Sequence, residues 1–253
     1  MLHYLRNIRK KLILQENARK YLLYAIGEIL LVVVGILIAF QIDNWNEDRV
    51  KRNQEFKILT QIQSDLSSNY SEVESLLSKL EFSKSSSDSL LKSFRDEKEI
   101  RAFSVYSSVV HQRFFFNISS SAYSLLGGSL GTLITNEQMR NNIVQIYEGD
   151  FKEIEKRQQM LSNHLDQNLN PKSNQLFEIT QRVNFKMPVF DENEFDFYDP
   201  INFNTIAKDK EYINTIVILR RMYTIQIQQL NKTKDDLTDV LKLVDSEISK
   251  LAS

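Results

Sequence analysis

Leu22 to Ile42 reads LLYAIGEILLVVVGILIAFQI, 21 residues with one ionisable side chain, Glu28. At about 1.5 Å per residue, a helix of that length covers roughly 30 Å, the thickness of a bilayer's hydrocarbon core. Tyr21 and Tyr24 stand at one end, and Trp45, the only tryptophan, lies just past the other. Amphipathic aromatics favour the headgroup zones, so these three residues mark the boundaries. A cleaved signal has an apolar core of only about 7–15 residues and a small-x-small exit. This run is longer, and Ala39-Phe40-Gln41 does not fit such an exit. Residues 21–43 are therefore read as a retained transmembrane helix.

Working outward, the flanking charges give an orientation. Residues 1–20 hold Arg6, Arg9, Lys10, Lys11, Arg19 and Lys20 against Glu16 alone. Beyond the span, Arg49, Lys51, Arg52 and Lys57 are mixed with Asp43, Glu47, Asp48 and Glu55. Lys/Arg-rich flanks stay in the cytoplasm. The expected organisation is a basic cytoplasmic segment (1–20), the span (21–43) and an extracytoplasmic, periplasmic domain (44–253), held in a bacterial inner membrane with the lipid bilayer as first partner. A basic head on a mildly acidic body fits a membrane surface and not nucleic acid.

Composition points to helices. The 253 residues include only 6 Gly and 3 Pro, well below ordinary usage of roughly 7% and 5%, and these are the main helix breakers. The expected fold is all-α: one transmembrane helix and an antiparallel bundle of long helices. Cysteine is absent, and His3, His111 and His164 are far apart. No disulfide, thiolate nucleophile, metal centre or cofactor site is expected.

The stretch Lys20-Tyr21-Leu22-Leu23-Tyr24-Ala25-Ile26-Gly27-Glu28-Ile29, then Gly35-Ile36-Leu37-Ile38-Ala39, Gln41-Ile42 and Asn44-Trp45-Asn46-Glu47, resembles the opening of a bacterial membrane-protein family that carries only a domain-of-unknown-function label. A second, weaker block covers Ala122-Tyr123, Leu133-Ile134, Asn136, Arg140 and Ile146-Tyr147-Glu148. Phe40 and Asp43 depart from the family's Leu and Asn. The resemblance implies a single-span envelope protein and supplies no reaction.

Within the span, a carboxylate costs several kcal/mol, about 3, unless it is neutralised, paired or drawn to the surface. Glu28, Gly35 and Ala39 fall on one helix face, with Gly27 alongside. Small residues let a second helix approach closely, so this face is a candidate helix–helix interface with Glu28 directed into it.

In the body, Leu59, Leu66, Val73, Leu80 and Phe94 follow one seven-residue series, interrupted at Ser87. Ile62, Leu76 and Leu90 follow its companion, interrupted at Asn69 and Ser83. This a/d seam predicts a long helix to about Phe94 that packs within one chain's bundle in preference to a coiled coil between chains. Asp96–Glu99 reads as a turn and Ile100–Phe116 as a second helix with His111 on its rim. Ser119–Ser121 reads as a cap for a helix at 122–126. Gly127–Gly131 reads as a turn without the Lys-Ser/Thr of a phosphate loop. Thr135 with Gln138 forms a capping box opening a helix that Pro171 ends, with His164 on its surface. Residues 170–207 read as irregular. Their acidic run, Asp191, Glu192, Glu194, Asp196 and Asp199, lacks the glycine of a calcium loop. A last helix spans Lys208–Leu251, its core stripe running through Ile213, Ile216, Val217, Met222, Ile225, Leu230, Leu237, Leu241 and Val244.

These features describe a non-enzymatic, membrane-anchored envelope protein whose helical module serves self-association as a homo-oligomer or binding within a membrane complex. The alternative is a subunit of an ion-coupled or transport complex that uses Glu28.

Overall fold

A computed structural model describes residues 18–127, 133–183 and 194–252. The chain divides into two compact units, Met1–Gln54 and Glu55–Ser253. Helix α1, Ala18–Arg95, contributes to both over 78 residues. Nothing interrupts it because no proline, and no glycine after Gly35, occurs before its end. It stops where expected: Glu97 takes φ 48°, the Lys98 amide donates back to the Ser93 carbonyl, and the Ser93 hydroxyl donates to the Lys98 carbonyl. These bonds satisfy the last turn's carbonyls.

In the second unit, α1 buries Leu59, Ile62, Leu66, Asn69, Val73, Leu76, Leu80, Ser83, Ser87, Leu90 and Phe94, alternating steps of three and four. The repeat is unbroken, and the residues that interrupt the apolar series are as buried as the leucines. The final helix, Lys210–Ala252, does the same through Tyr212, Ile216, Leu219, Tyr223, Gln226, Leu230, Thr233, Leu237, Val240 and Val244. This differs from the apolar stripe read from sequence: Val217 and Ile225 are exposed, whereas Gln226 and Thr233 are core. Three cross-contacts set the pairing of the two helices: Asp88 with Arg220, Glu74 with Lys234, and Gln63 with Asp245. Equal steps in opposite directions on the two helices make them antiparallel and in register.

Between them runs the middle helix, residues 137–176. It comprises α4 (Glu137–Val144), a π turn (Gln145–Asp150), α5 (Phe151–His164), a second π turn (Leu165–Leu169) and α6 (Asn170–Leu176). Pro171 does not end it. The Asn170 amide donates to the Leu165 carbonyl, five residues back. This wider turn brings the proline in at the start of α6, where a missing N–H costs least. The N-cap of α4 is Asn136, whose side chain accepts from the Met139 amide. Thr135, read as the cap, instead donates its backbone N–H and hydroxyl to Glu55 of α1.

Two further expectations are corrected. The second helix, α2, covers only Phe103–Val110, and residues 112–120 form neither helix nor strand. Phe114 and Phe116 point inward and Arg113, Phe115 and Asn117 outward, a period of two that a helix cannot give. The region read as irregular contains strands β1 (Phe177–Val183) and β2 (Glu194–Pro200), paired antiparallel from Phe177 opposite Pro200 to Val183 opposite Glu194. α3 (Ser121–Leu126) and α7 (Phe203–Ile206) complete the unit, and the last helix is α8. The molecule remains overwhelmingly helical, an antiparallel bundle with one small ribbon at the α1–α2 turn end.

Candidate functional site

Residues 22–42 of α1 present apolar side chains on every side. Leu23, Leu31, Ile36 and Phe40 are each more than 60% exposed. This is the only helix among the described residues that is long and apolar enough to cross a membrane, and none of its apolar window is buried in the chain. The helix places Glu28, Gly35 and Ala39 on one face with Gly27 beside it; Glu28 is half-exposed. Trp45 is exposed just past the apolar run, and Arg19 is exposed before it. Lys20, Tyr21 and Tyr24 lie in α1 with side chains outside the described residues. The cations Arg6, Arg9, Lys10 and Lys11 lie outside the described residues altogether, as do His3, Gly131, Asp191 and Glu192.

The glycines of the span differ from those of the bundle. Gly127 has φ +46°, and a Cβ on Gly149 would meet the Gln145 side chain. A Cβ on Gly27 or Gly35 would meet nothing within 4 Å, and neither has a positive φ. A mid-helix glycine costs about 1 kcal/mol relative to alanine, and packing within this chain requires neither of these two.

Polar side chains of α1 anchor other segments of the bundle. Asp65 accepts from the Ala122 amide at 2.9 Å and from the hydroxyls of Ser119 and Ser121, capping α3 from across the fold. Within the expected Ser119–Ser121 cap, Ser120 takes the N-cap position and makes no side-chain capping bond. Asn69 both accepts from and donates to the Ser119 backbone, and Glu72 accepts from the Asn117 amide. With Glu55 on Thr135, four side chains of α1 hold the chain between 117 and 135. Sequence reasoning missed these anchors. For Glu55 and Asn69 the available signal was that a polar residue on the a/d repeat needs a partner once buried; Asp65 and Glu72 lie off that repeat.

His111 is buried, not on a rim. Its Nε2 lies 2.7 Å from the Ser173 hydroxyl, a nucleophile–base distance. Ser173, however, has no exposed surface, lies inside a helix and is 2.9 Å from the Leu169 carbonyl, so no substrate reaches it. His164 is half-buried and bonds the Thr215 carbonyl of α8. Asp150, 3% exposed, binds Lys232, and its second oxygen has no hydrogen-bond partner among the described residues. An open groove of about 840 Å³ lies beside the stacked rings of Tyr123 and Tyr147, 4.3 Å apart. Burial and the neighbouring Glu148 push the Tyr123 phenol up to about 12. No group of three or more His, Asp or Glu residues able to hold a metal occurs among the described residues.

The fold therefore defines a helical-bundle protein carrying one helix able to cross a membrane. The profile of a family described as "Family of unknown function (DUF6090)" matches residues 28–219, and the chain belongs to that family. The matched residues take in Gly35–Ala39, Asn44–Glu47 and the block at 122–148; Lys20–Gly27 precede them. No curated protein and no solved structure matches the chain.

Proposed function

We propose that this is a non-enzymatic, single-span protein of the bacterial inner membrane, with its basic end in the cytoplasm and its helical module in the periplasm, that works by association with a second copy of itself or a partner in a membrane complex. The observation that carries the reading is the apolar helix at 22–42, exposed on every described side. Such a surface is stable only in lipid or against another apolar helix. The Lys/Arg excess before it supports the orientation.

The a/d seam is already closed within the chain, by α8 and the middle helix. Association through that seam would require opening the core. The face carrying Glu28, Gly35 and Ala39 has no such obligation. Its glycines are costly in a lone helix and useful where a second backbone comes close.

The absence of cysteine makes the test clean. Ala39→Cys and Leu37→Cys lie about 200° apart around the helix at 100° per residue. In native membranes, oxidative cross-linking of Ala39→Cys but not Leu37→Cys supports the interface. Equal cross-linking, or none, removes it. Release of the untagged protein by carbonate washing removes the anchor itself. A second reading rests on the position of Glu28 within the apolar run: an ion-coupled complex with Glu28 as the working group. Glu28→Gln separates the two, since lost phenotype with intact assembly favours coupling and lost assembly favours a structural role.

A further inference from the structure

His111 closes α2 at the point where α2, α6 and β2 meet, and its side chain touches all three. Nδ1 faces the Ser107 carbonyl one turn back, and Nε2 faces the Ser173 hydroxyl on α6 at 2.7 Å. The ring stacks on Tyr198 of β2 with centroids 3.7 Å apart and planes 12° from parallel, while Phe177 of β1 meets it edge-on. A carbonyl only accepts, so Nδ1 carries the hydrogen, and the neutral ring takes the Ser173 proton at Nε2. A second ring proton would turn the Ser173 hydroxyl to the Leu169 carbonyl, 2.9 Å away, and leave every bond made. Among the described residues the site holds no counter-charge.

The described ionisable groups on the surrounding elements are paired elsewhere or exposed. Arg113 pairs with Asp166, and Lys172 pairs with Asp209 and Glu211. On the ribbon, Asp199 accepts from Thr180, Asp196 is exposed, and the Tyr198 phenol is itself half-buried; Glu178 of β1 is exposed. The buried Tyr212 phenol of α8 is neutral, its ionisation suppressed by burial. Burial without a counter-charge pushes the His111 imidazole down to about 4. The electron-rich face of Tyr198 offsets only part of this.

The ribbon is the element least able to stand alone, since two strands are marginal without packing. Its tie to α2 is the Tyr198 stack together with the Tyr198 amide donating to the Ser108 hydroxyl at 3.1 Å. We propose that His111 is an acid-sensitive latch, whose protonation releases strands β1 and β2 from the bundle while the three long helices stay packed. The sign follows from linkage. The closed-state pKa is lowered, so the latch is fully set above the ordinary value of 6.5 and is lost as pH falls through the window from 6.5 to about 4. The ratio of open to closed ribbon rises about 20-fold from pH 7 to pH 5.

Hydrogen exchange read by mass spectrometry on the full chain in detergent micelles, corrected for intrinsic exchange rates, tests this. Protection of β2 should fall about 20-fold from pH 7 to pH 5, with α1 and α8 unchanged, and His111→Gln should flatten the dependence. Equal β2 protection at both pH values, the same fall in the variant, or loss spread over α1 and α8 overturns the latch. Should the variant not fold, ring ¹³C spectra of the wild type decide. The chain has only three histidines, so the His111 signal is assignable by replacing the other two in turn, and it must titrate well below 6.5. A His111 midpoint near 6.5 overturns the proposal.

Discussion

Asn69 and Ser119 exchange two hydrogen bonds: the Ser119 amide donates to Asn69 Oδ1 at 2.7 Å, and Asn69 Nδ2 donates to the Ser119 carbonyl at 2.8 Å. One side chain of α1 thus does for a segment outside helix and strand what a neighbouring strand would do. Asn69 occupies a core position of the seven-residue repeat, fully buried. Asn69→Leu would perfect the apolar pattern and yet leave the Ser119 amide without a partner and its carbonyl with the Tyr147 hydroxyl alone. We expect a loss of about 1–3 kcal/mol, measured by urea unfolding of the detergent-solubilised chain. A gain in stability would show that the repeat governs this position and the anchor does not.

Lys232 and Asp150 give a second test. The carboxylate is buried on a π turn and the lysine more than half exposed. Lys232→Met strands the acid, though water reaches part of the gap, so about 1–2 kcal/mol is expected. Asp150→Asn added to Lys232→Met should recover part of the loss. Additive losses in the double-mutant cycle would show that the two groups do not interact.

Gly35→Leu separates span from bundle. A Cβ at Gly35 has no neighbour within 4 Å among the described residues, so the unfolding midpoint of the bundle should not move. If Gly35 serves a helix–helix approach, the Ala39→Cys cross-link should drop at least about tenfold, equivalent to 1.4 kcal/mol. An unchanged cross-link would place the contact elsewhere.

Gly127 holds φ +46° at the end of α3, where a Cβ is strained even in open space. Gly127→Ala should cost about 1–2 kcal/mol, whereas Gly27→Ala, in the regular helix of the span, should leave the bundle's unfolding unchanged. Thermal unfolding monitored by circular dichroism compares the two.

The long elements were legible because their signals are local. The run from Leu22 to Ile42 announces itself by composition, and Leu59 to Phe94 by period. What blurred the picture was polar residues on the repeat. Asn69, Ser83 and Ser87 read as interruptions, and Gln226 and Thr233 hid the true face of α8 behind the more apolar Val217 and Ile225. Thr135 carried a sound capping box that the fold did not use, since Glu55 takes its hydroxyl and amide. Pro171 read as a terminator, but the π turn before it absorbs the missing N–H. His111 read as a rim residue because a histidine flanked by Val110 and Gln112 does not reveal what will cover it.

The amino-acid order alone determined that one segment of this chain is apolar all round and that most of the rest is helical, with a seven-residue repeat over Leu59–Phe94, because hydropathy and helix period depend on neighbours within a few positions. Tertiary structure decided which polar residues enter the core, where the ribbon forms and how His111 is enclosed. Asn69 and Ser119 are 50 residues apart, and His111 and Ser173 are 62 apart. A buried polar side chain is stable only with its partner, and at those separations the partner is chosen by how the helices pack and not by the residues on either side.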